Sequence, residues 1–267
     1  MDAQAIDKIQ ALVQASQIGH PGTDVPTMLV PEGYKLASLE KYQEAPSRYR
    51  GVFSTRSIED FAEYANKQLE AEVFVDTDDM DAIAFFDLGN PEAPGHAEHR
   101  ASLALQKTAP YRAVLSAHEN AFGQKELAHW IEDWHAHIEG ESTNGNLLSP
   151  KQLANMVRKI EIKAASERTH EEGDWNATRT GLDAIDASTG TDTPAVIRLT
   201  CLPYEGLPLR TFDLRVSILT DIDKPKVKLR VMGLEGIKEE IAKDFKDVLR
   251  ANLDDDATLL LGNFSKQ

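Results

Sequence analysis

Apolar and polar positions along the chain alternate in blocks whose period switches between about 3.6 and 2, so helices and strands can be told apart locally. A weak helical stripe (Ile6, Ile9, Val13) ends at Gly19-His20-Pro21-Gly22, where Gly and Pro start a loop. Short extended pieces are expected at 27–30 and 35–39. A clearer helix starts after Ser57, because Ile58, Phe61, Ala62, Ala65 and Leu69 share one face and Ser57 can cap its first turn. Strands are predicted at 72–76 and 82–87 around the acidic turn Thr77-Asp78-Asp79-Met80-Asp81, and again over 99–108. Their short links predict an antiparallel meander.

A helix is predicted over 124–138, with Leu127, Trp130, Ile131, Trp134 and Ile138 on one face. After the loop Asn144-Gly145-Asn146, the run Ser149-Pro150-Lys151-Gln152 is the best helix start in the chain. Ser caps, Pro suits the first helical position and Gln completes a capping box. Leu153, Met156, Val157, Ile160 and Ala164 make its apolar stripe. Three alternating strands follow: Ile197, Leu199 and Cys201; then Phe212, Leu214, Val216 and Ile218; then, past Asp221-Ile222-Asp223-Lys224-Pro225, Val227, Leu229 and Val231. A helix with Leu234, Ile237, Ile241, Phe245 and Val248 on one side precedes a last apolar run, 258–261.

Strands and helices grouped without strict βαβ alternation predict an α+β fold, a largely antiparallel sheet with amphipathic helices packed on one face. The polar stretch 167–193 holds three Gly and no sustained period, so it reads as a surface excursion or a partly disordered link. The segment after it is small, which favours a single domain over 1–267 in which both parts share a sheet.

Composition narrows the partners. The 267 residues carry 29 basic and 44 acidic side chains, a formal charge of −15, with 41% apolar and 27% charged residues. That balance is globular and excludes collagen-like, disulfide-rich and wholly disordered chains. The acidic excess disfavours nucleic acid and anionic membranes without abolishing a local basic groove. No apolar run is long enough for a transmembrane helix, and the start Met1-Asp2-Ala3-Gln4 lacks the features of a signal peptide. Cys201 stands alone, so an intrachain disulfide and a multi-cysteine zinc site are out. The expected location is the cytoplasm.

Candidate chemistry is sparse. There is no dinucleotide turn, phosphate loop, nucleophile elbow or zincin motif. Asp76, Asp78, Asp79 and Asp81 offer oxygen ligands for a hard cation, but Met80 and Asp81 break the calcium-loop pattern and a solvated turn is the better reading. Asp254-Asp255-Asp256 reads the same way. His96 and His99 point to opposite faces of an extended chain, and His129, His135 and His137 spread around a helix, so neither set makes a metal site. Trp130 and Trp134 read as core, and Cys201 as a buried, inert thiol. One feature opposes the global charge: Lys226, Lys228 and Arg230 share the wet face of one strand and Arg215 that of its neighbour. They form a candidate surface for an anion, a nucleic-acid backbone or a neighbouring subunit's acidic edge, unless Asp213 and nearby carboxylates neutralise them.

The segments Ala82–Phe86, His99–Leu105 with Lys107-Thr108, Gln124–Asp133 and the strands from Ala195 to Met232, in that order, resemble the YfdQ-like proteins of phages and prophages. The likeness covers residues from about 50 to 250; members carry a Trp after the Lys-Thr pair where this chain has Tyr111. It implies a phage or prophage origin and a bacterial cytoplasmic location. It brings no established activity, so no catalytic residue, metal ligand or cofactor is assigned. The first expectation is a non-enzymatic accessory protein that binds as a homo-oligomer, antiparallel strands having edges for self-pairing. The alternatives are a nucleic-acid-associated factor in phage recombination or replication, and an anti-defence protein that sequesters a host factor or nucleotide signal. A metal-dependent hydrolase using Asp76, Asp78 and Asp81 is the remaining enzymatic reading.

Overall fold

A computed structural model of the chain describes residues 7–9, 40–68, 70–160, 193–220 and 225–265. The stripe positions Ile6 and Val13, the extended pieces at 27–30 and 35–39, Leu69, Ala164, the turn at 221–224 and all of the polar excursion except Thr193 lie outside those residues. The chain divides into two compact units, Met1–Tyr49 and Arg50–Gln267. In the described part of the first, a 3-10 turn spans Glu40–Tyr42. There the Glu40 carboxylate accepts from the Ser47 amide (2.9 Å) and hydroxyl (2.8 Å).

The second unit runs β1 (Gly51–Thr55), α1 (Ile58–Asn66), β2 (Glu72–Asp76), β3 (Asp81–Phe85), β4 (His99–Ala104), α2 (Ala109–Ala117), β5 (Ala121–Gly123), α3 (Gln124–Asp133) and β6 (Ile138–Ser142). It continues with β7 (Leu147–Leu148), α4 (Pro150–Arg158), β8 (Pro194–Cys201), β9 (Arg210–Thr220), β10 (Pro225–Val231), α5 (Leu234–Asn252) and β11 (Thr258–Leu261). The fold class is α+β. Two sheets form rather than one, in the orders β1-β4-β3-β2-β11 and β5-β10-β9-β8-β6-β7, and each takes strands from both sides of residues 161–192. The first contains the antiparallel meander β2-β3-β4, flanked by β1 parallel to β4 and β11 parallel to β2. The second is antiparallel throughout.

The local signals that worked are caps and alternation. The Ser57 hydroxyl accepts from the Asp60 amide (3.1 Å) to start α1. In α4 the Ser149–Gln152 capping box is complete, which satisfies donors a helix start otherwise leaves bare. In the strands, Ile197, Leu199, Phe212, Leu214, Val227 and Leu229 lose all solvent contact. They share one core with Leu127 and Ile131 of α3 and Leu153 and Val157 of α4. Gln124 ties α3 to the end of α4 by donating to the Val157 (3.2 Å) and Ile160 (2.7 Å) carbonyls. Helix α1 packs on β1, β4 and α5, where Asn66 donates to the Asn252 carbonyl (2.9 Å) and accepts from the Asp254 amide (3.0 Å).

Two boundaries differ from expectation. Helix α3 ends at Asp133, and Ile138 opens β6 instead of completing the helical stripe. The turn before it is held by the neighbouring strand: Thr200 N donates to the His137 carbonyl (2.9 Å) and His137 Nδ1 to the Thr200 carbonyl (3.1 Å). The strand expected to reach Thr108 stops at Ala104, because Thr108 caps α2. Its hydroxyl accepts from the Tyr111 amide (3.4 Å) while donating to the Leu202 carbonyl (2.5 Å).

Candidate functional site

The six-stranded sheet has one face on the core and one in water. On β10, Val227, Leu229 and Val231 point inward, so Lys226, Lys228 and Arg230 point out; on β9, Phe212 and Leu214 are buried and Arg215 is exposed. The structure brings the four cations together. Arg230 stands directly across from Arg215, Lys228 from Ser217 and Lys226 from Leu219. Side chains so placed lie about 5 Å apart at their roots, and like charges there repel.

Neutralisation is partial. Lys228 pairs with Glu119, and its hydrogen bond, ahead of the charges of His118 and Arg230, holds the Glu119 carboxyl below the usual carboxylate range. Asp213 does not serve the patch. It pairs with Arg198 of β8 (3.4 Å), which also holds Glu141 of β6. Among the described residues no carboxylate forms an ion pair with Arg215 or Arg230. The open face therefore has two halves: a basic one formed by Arg215 on β9 with Lys226, Lys228 and Arg230 on β10, and one over β6 and β8 where Glu139 and Glu141 outnumber Arg198, with Asp213 of β9 across from Arg198 at the boundary.

A second feature is a cleft of about 770 Å³ between α5, α2 and the β2–β3 turn. Its wall includes Tyr111 on α2 and Tyr204, which the Lys107–Tyr204 bridge and the bond from Thr108 N to the Pro203 carbonyl (3.0 Å) hold beside it. The rings lie 5.9 Å apart, and Tyr111 stacks on Phe212 at 5.2 Å. Both residues are nearly buried, at 2% and 6% exposure. Burial, aided by Tyr204, Cys201 and Glu235, pushes the Tyr111 hydroxyl up to about 12, and burial also raises Tyr204. Lys107, Lys238, Lys243 and Lys246 line the cleft. Lys238 is held by Glu235 at 2.8 Å; the other three have no ion-pair partner among the described residues. The sequence reading missed this site because α2 went unseen, although Thr108-Ala109-Pro110 carries the cap-and-proline signal of a helix start.

With this geometry in view, a family model described as "Uncharacterized conserved protein (DUF2303)" matches residues 1–264. The chain belongs to the DUF2303 family. No curated protein and no solved structure matches it.

The other polar clusters of this DUF2303 member stay dispersed. The Asp76 carboxylate accepts from the Asp79 (3.1 Å) and Asp78 (2.9 Å) amides and from Asn263 Nδ2 (2.5 Å), and these bonds lower its pKa. Asp81, opposite it, is raised by burial and by the charges of Asp76 and Asp79. The cluster thus closes a hairpin with its own backbone. His96 is exposed, whereas His99 is buried with Nε2 3.1 Å from the Tyr64 hydroxyl. His129 and His135 are exposed and His137 bonds Thr200. Among the described residues no group of three or more His, Cys, Asp or Glu is placed to hold a metal. Trp130 and Trp134 pack half-buried against the core. Cys201 is buried, and burial pushes its thiol up to about 11. No helix among the described residues is long and apolar enough to cross a membrane.

Proposed function

We propose that the protein acts by binding, and that it assembles with a second copy of itself through the open face of the six-stranded sheet. The observation that carries this reading is the division of that face into a basic half and an acidic half. Three strand spacings separate β6 from β10, roughly 14 Å. A two-fold axis through the face would set Arg215 and Arg230 of one copy against Glu139 and Glu141 of the other, which is the self-complementarity an isologous contact needs. The YfdQ-like resemblance supports placing this activity in a phage or prophage accessory protein working in the bacterial cytoplasm. The face lacks aromatic side chains on β8, β9 and β10, so base stacking, the main sequence-tolerant source of affinity for single strands, has no platform there.

Size-exclusion chromatography with light scattering at micromolar concentration tests the proposal. A dimer that Arg215→Glu with Arg230→Glu converts to monomer is the expected result. A strict monomer, or a dimer indifferent to that pair, overturns it. Filter binding to duplex and single-stranded DNA at low and high salt runs beside it, because salt-sensitive retention abolished by the same pair would give the face to phosphate backbones instead.

A further inference from the structure

We propose that the cleft between α5, α2 and the β2–β3 turn binds a small organic anion with an apolar body, held by the Tyr111 and Tyr204 hydroxyls and by Lys107, Lys243 and Lys246. Tyr111 and Tyr204 are more than nine-tenths buried and line this cleft. Neither hydroxyl has a hydrogen-bond partner among the described residues, so both are left for an occupant of the cleft. Both are held in the protonated form, so each offers an O–H donor to whatever fills the space.

Size and charge define the occupant. A volume of about 770 Å³ falls within the roughly 300–1,000 Å³ of small-molecule sites. Met80, Leu115, Ile241 and Leu261 give the cleft an apolar wall for a ring or chain. Lys107 enters from the Tyr204 bridge, while Lys243 and Lys246 lie one turn apart on α5. Asp78 and Glu239 also line the cleft. They offset part of this charge, which fits a singly or doubly charged head group and disfavours a polyphosphate. Phosphate monoesters and carboxylates share that chemistry.

Anilinonaphthalene sulfonate, an anion with an apolar body, is the probe, titrated by fluorescence into the full chain. Saturable one-to-one binding is expected. Lys243→Gln with Lys246→Gln should weaken it by about tenfold or more, and Tyr204→Phe, which loses one hydrogen bond, by about threefold to tenfold. Far-ultraviolet circular dichroism and the melting temperature check that both variants remain folded. Competition by phenyl phosphate and by benzoate then separates the two head groups. Binding that neither variant changes, or that neither competitor displaces, overturns the proposal. Tyr204→Phe keeps the ring and its packing, so a loss of affinity in a folded variant belongs to the hydroxyl. The titration should read the same with Arg215→Glu and Arg230→Glu in place, which keeps it independent of the sheet-face proposal.

Discussion

His99 shows how one residue's surroundings set a response of the whole chain. Its ring lies 4.7 Å from Phe86 and reaches the Tyr64 hydroxyl, while Asp87 accepts from its backbone amide. Burial lowers its pKa against the opposing pull of Asp87. The unfolded chain therefore binds a proton at this site at a higher pH than the folded one. Stability from this residue is complete above the unfolded value of about 6.5 and declines as pH falls below it, levelling once the folded form is protonated too. Urea unfolding across that range should show a steeper loss towards acid for the natural chain than for His99→Gln; parallel curves would refute the assignment. Backbone space is tuned just as locally at Gly140 in β6. A Cβ there would meet the Leu153 methyls at 3.0 and 3.1 Å, so the glycine lets α4 sit close to its sheet.

Among the elements, α4 is the one its sequence specifies best. Ser149 accepts from the Gln152 amide (3.4 Å), and Gln152 Oε1 accepts from the Ser149 amide (2.9 Å) and hydroxyl (2.7 Å). Loss of such a cap costs about 1 kcal/mol. Ser149→Ala should lower stability by about that amount in urea unfolding, with Ser149→Gly closer to the natural chain; equal stabilities of Ser149→Ala and the natural chain would show the cap to be idle. The legibility of the other elements follows the same rule. Helix α5 and strands β8 to β10 are read from their periods because each spans enough residues to repeat one. Strands β5 and β7, with three and two residues, are too short to show alternation. They exist because β10 and β6 offer unpaired edges. Helix α3 fails in the opposite sense: its stripe continues to Ile138 in sequence, but pairing of the 137–138 segment with β8 ends the helix first.

At the scale of the molecule, net charge bears on the proposed pairing of two copies. Each carries −15, so copies repel at a distance, whereas the proposed contact sets the basic half of one sheet face against the acidic half of the other. Salt screens the long-range term first, its reach being about 30 Å at 0.01 M and about 10 Å at 0.1 M. Sedimentation equilibrium should therefore show the proposed dimer tightening from 0.01 to about 0.1 M salt and weakening towards 1 M; a monotonic weakening from the lowest salt would mean that the contact is not opposed by net charge.

The amino-acid order by itself determined which side of each long strand and helix is buried, where the caps lie, and that four cations line one wet face. Those properties depend on neighbours within a turn or two of chain. Only the tertiary structure decided that the strands divide into two sheets, that Asp213 serves Arg198 and leaves Arg215 facing Arg230, and that Tyr111 and Tyr204 meet in one cleft. Each of these is a pairing between segments distant along the chain. It is set by register and by the packing of helices on sheets, and the periodicity of either segment alone does not contain it.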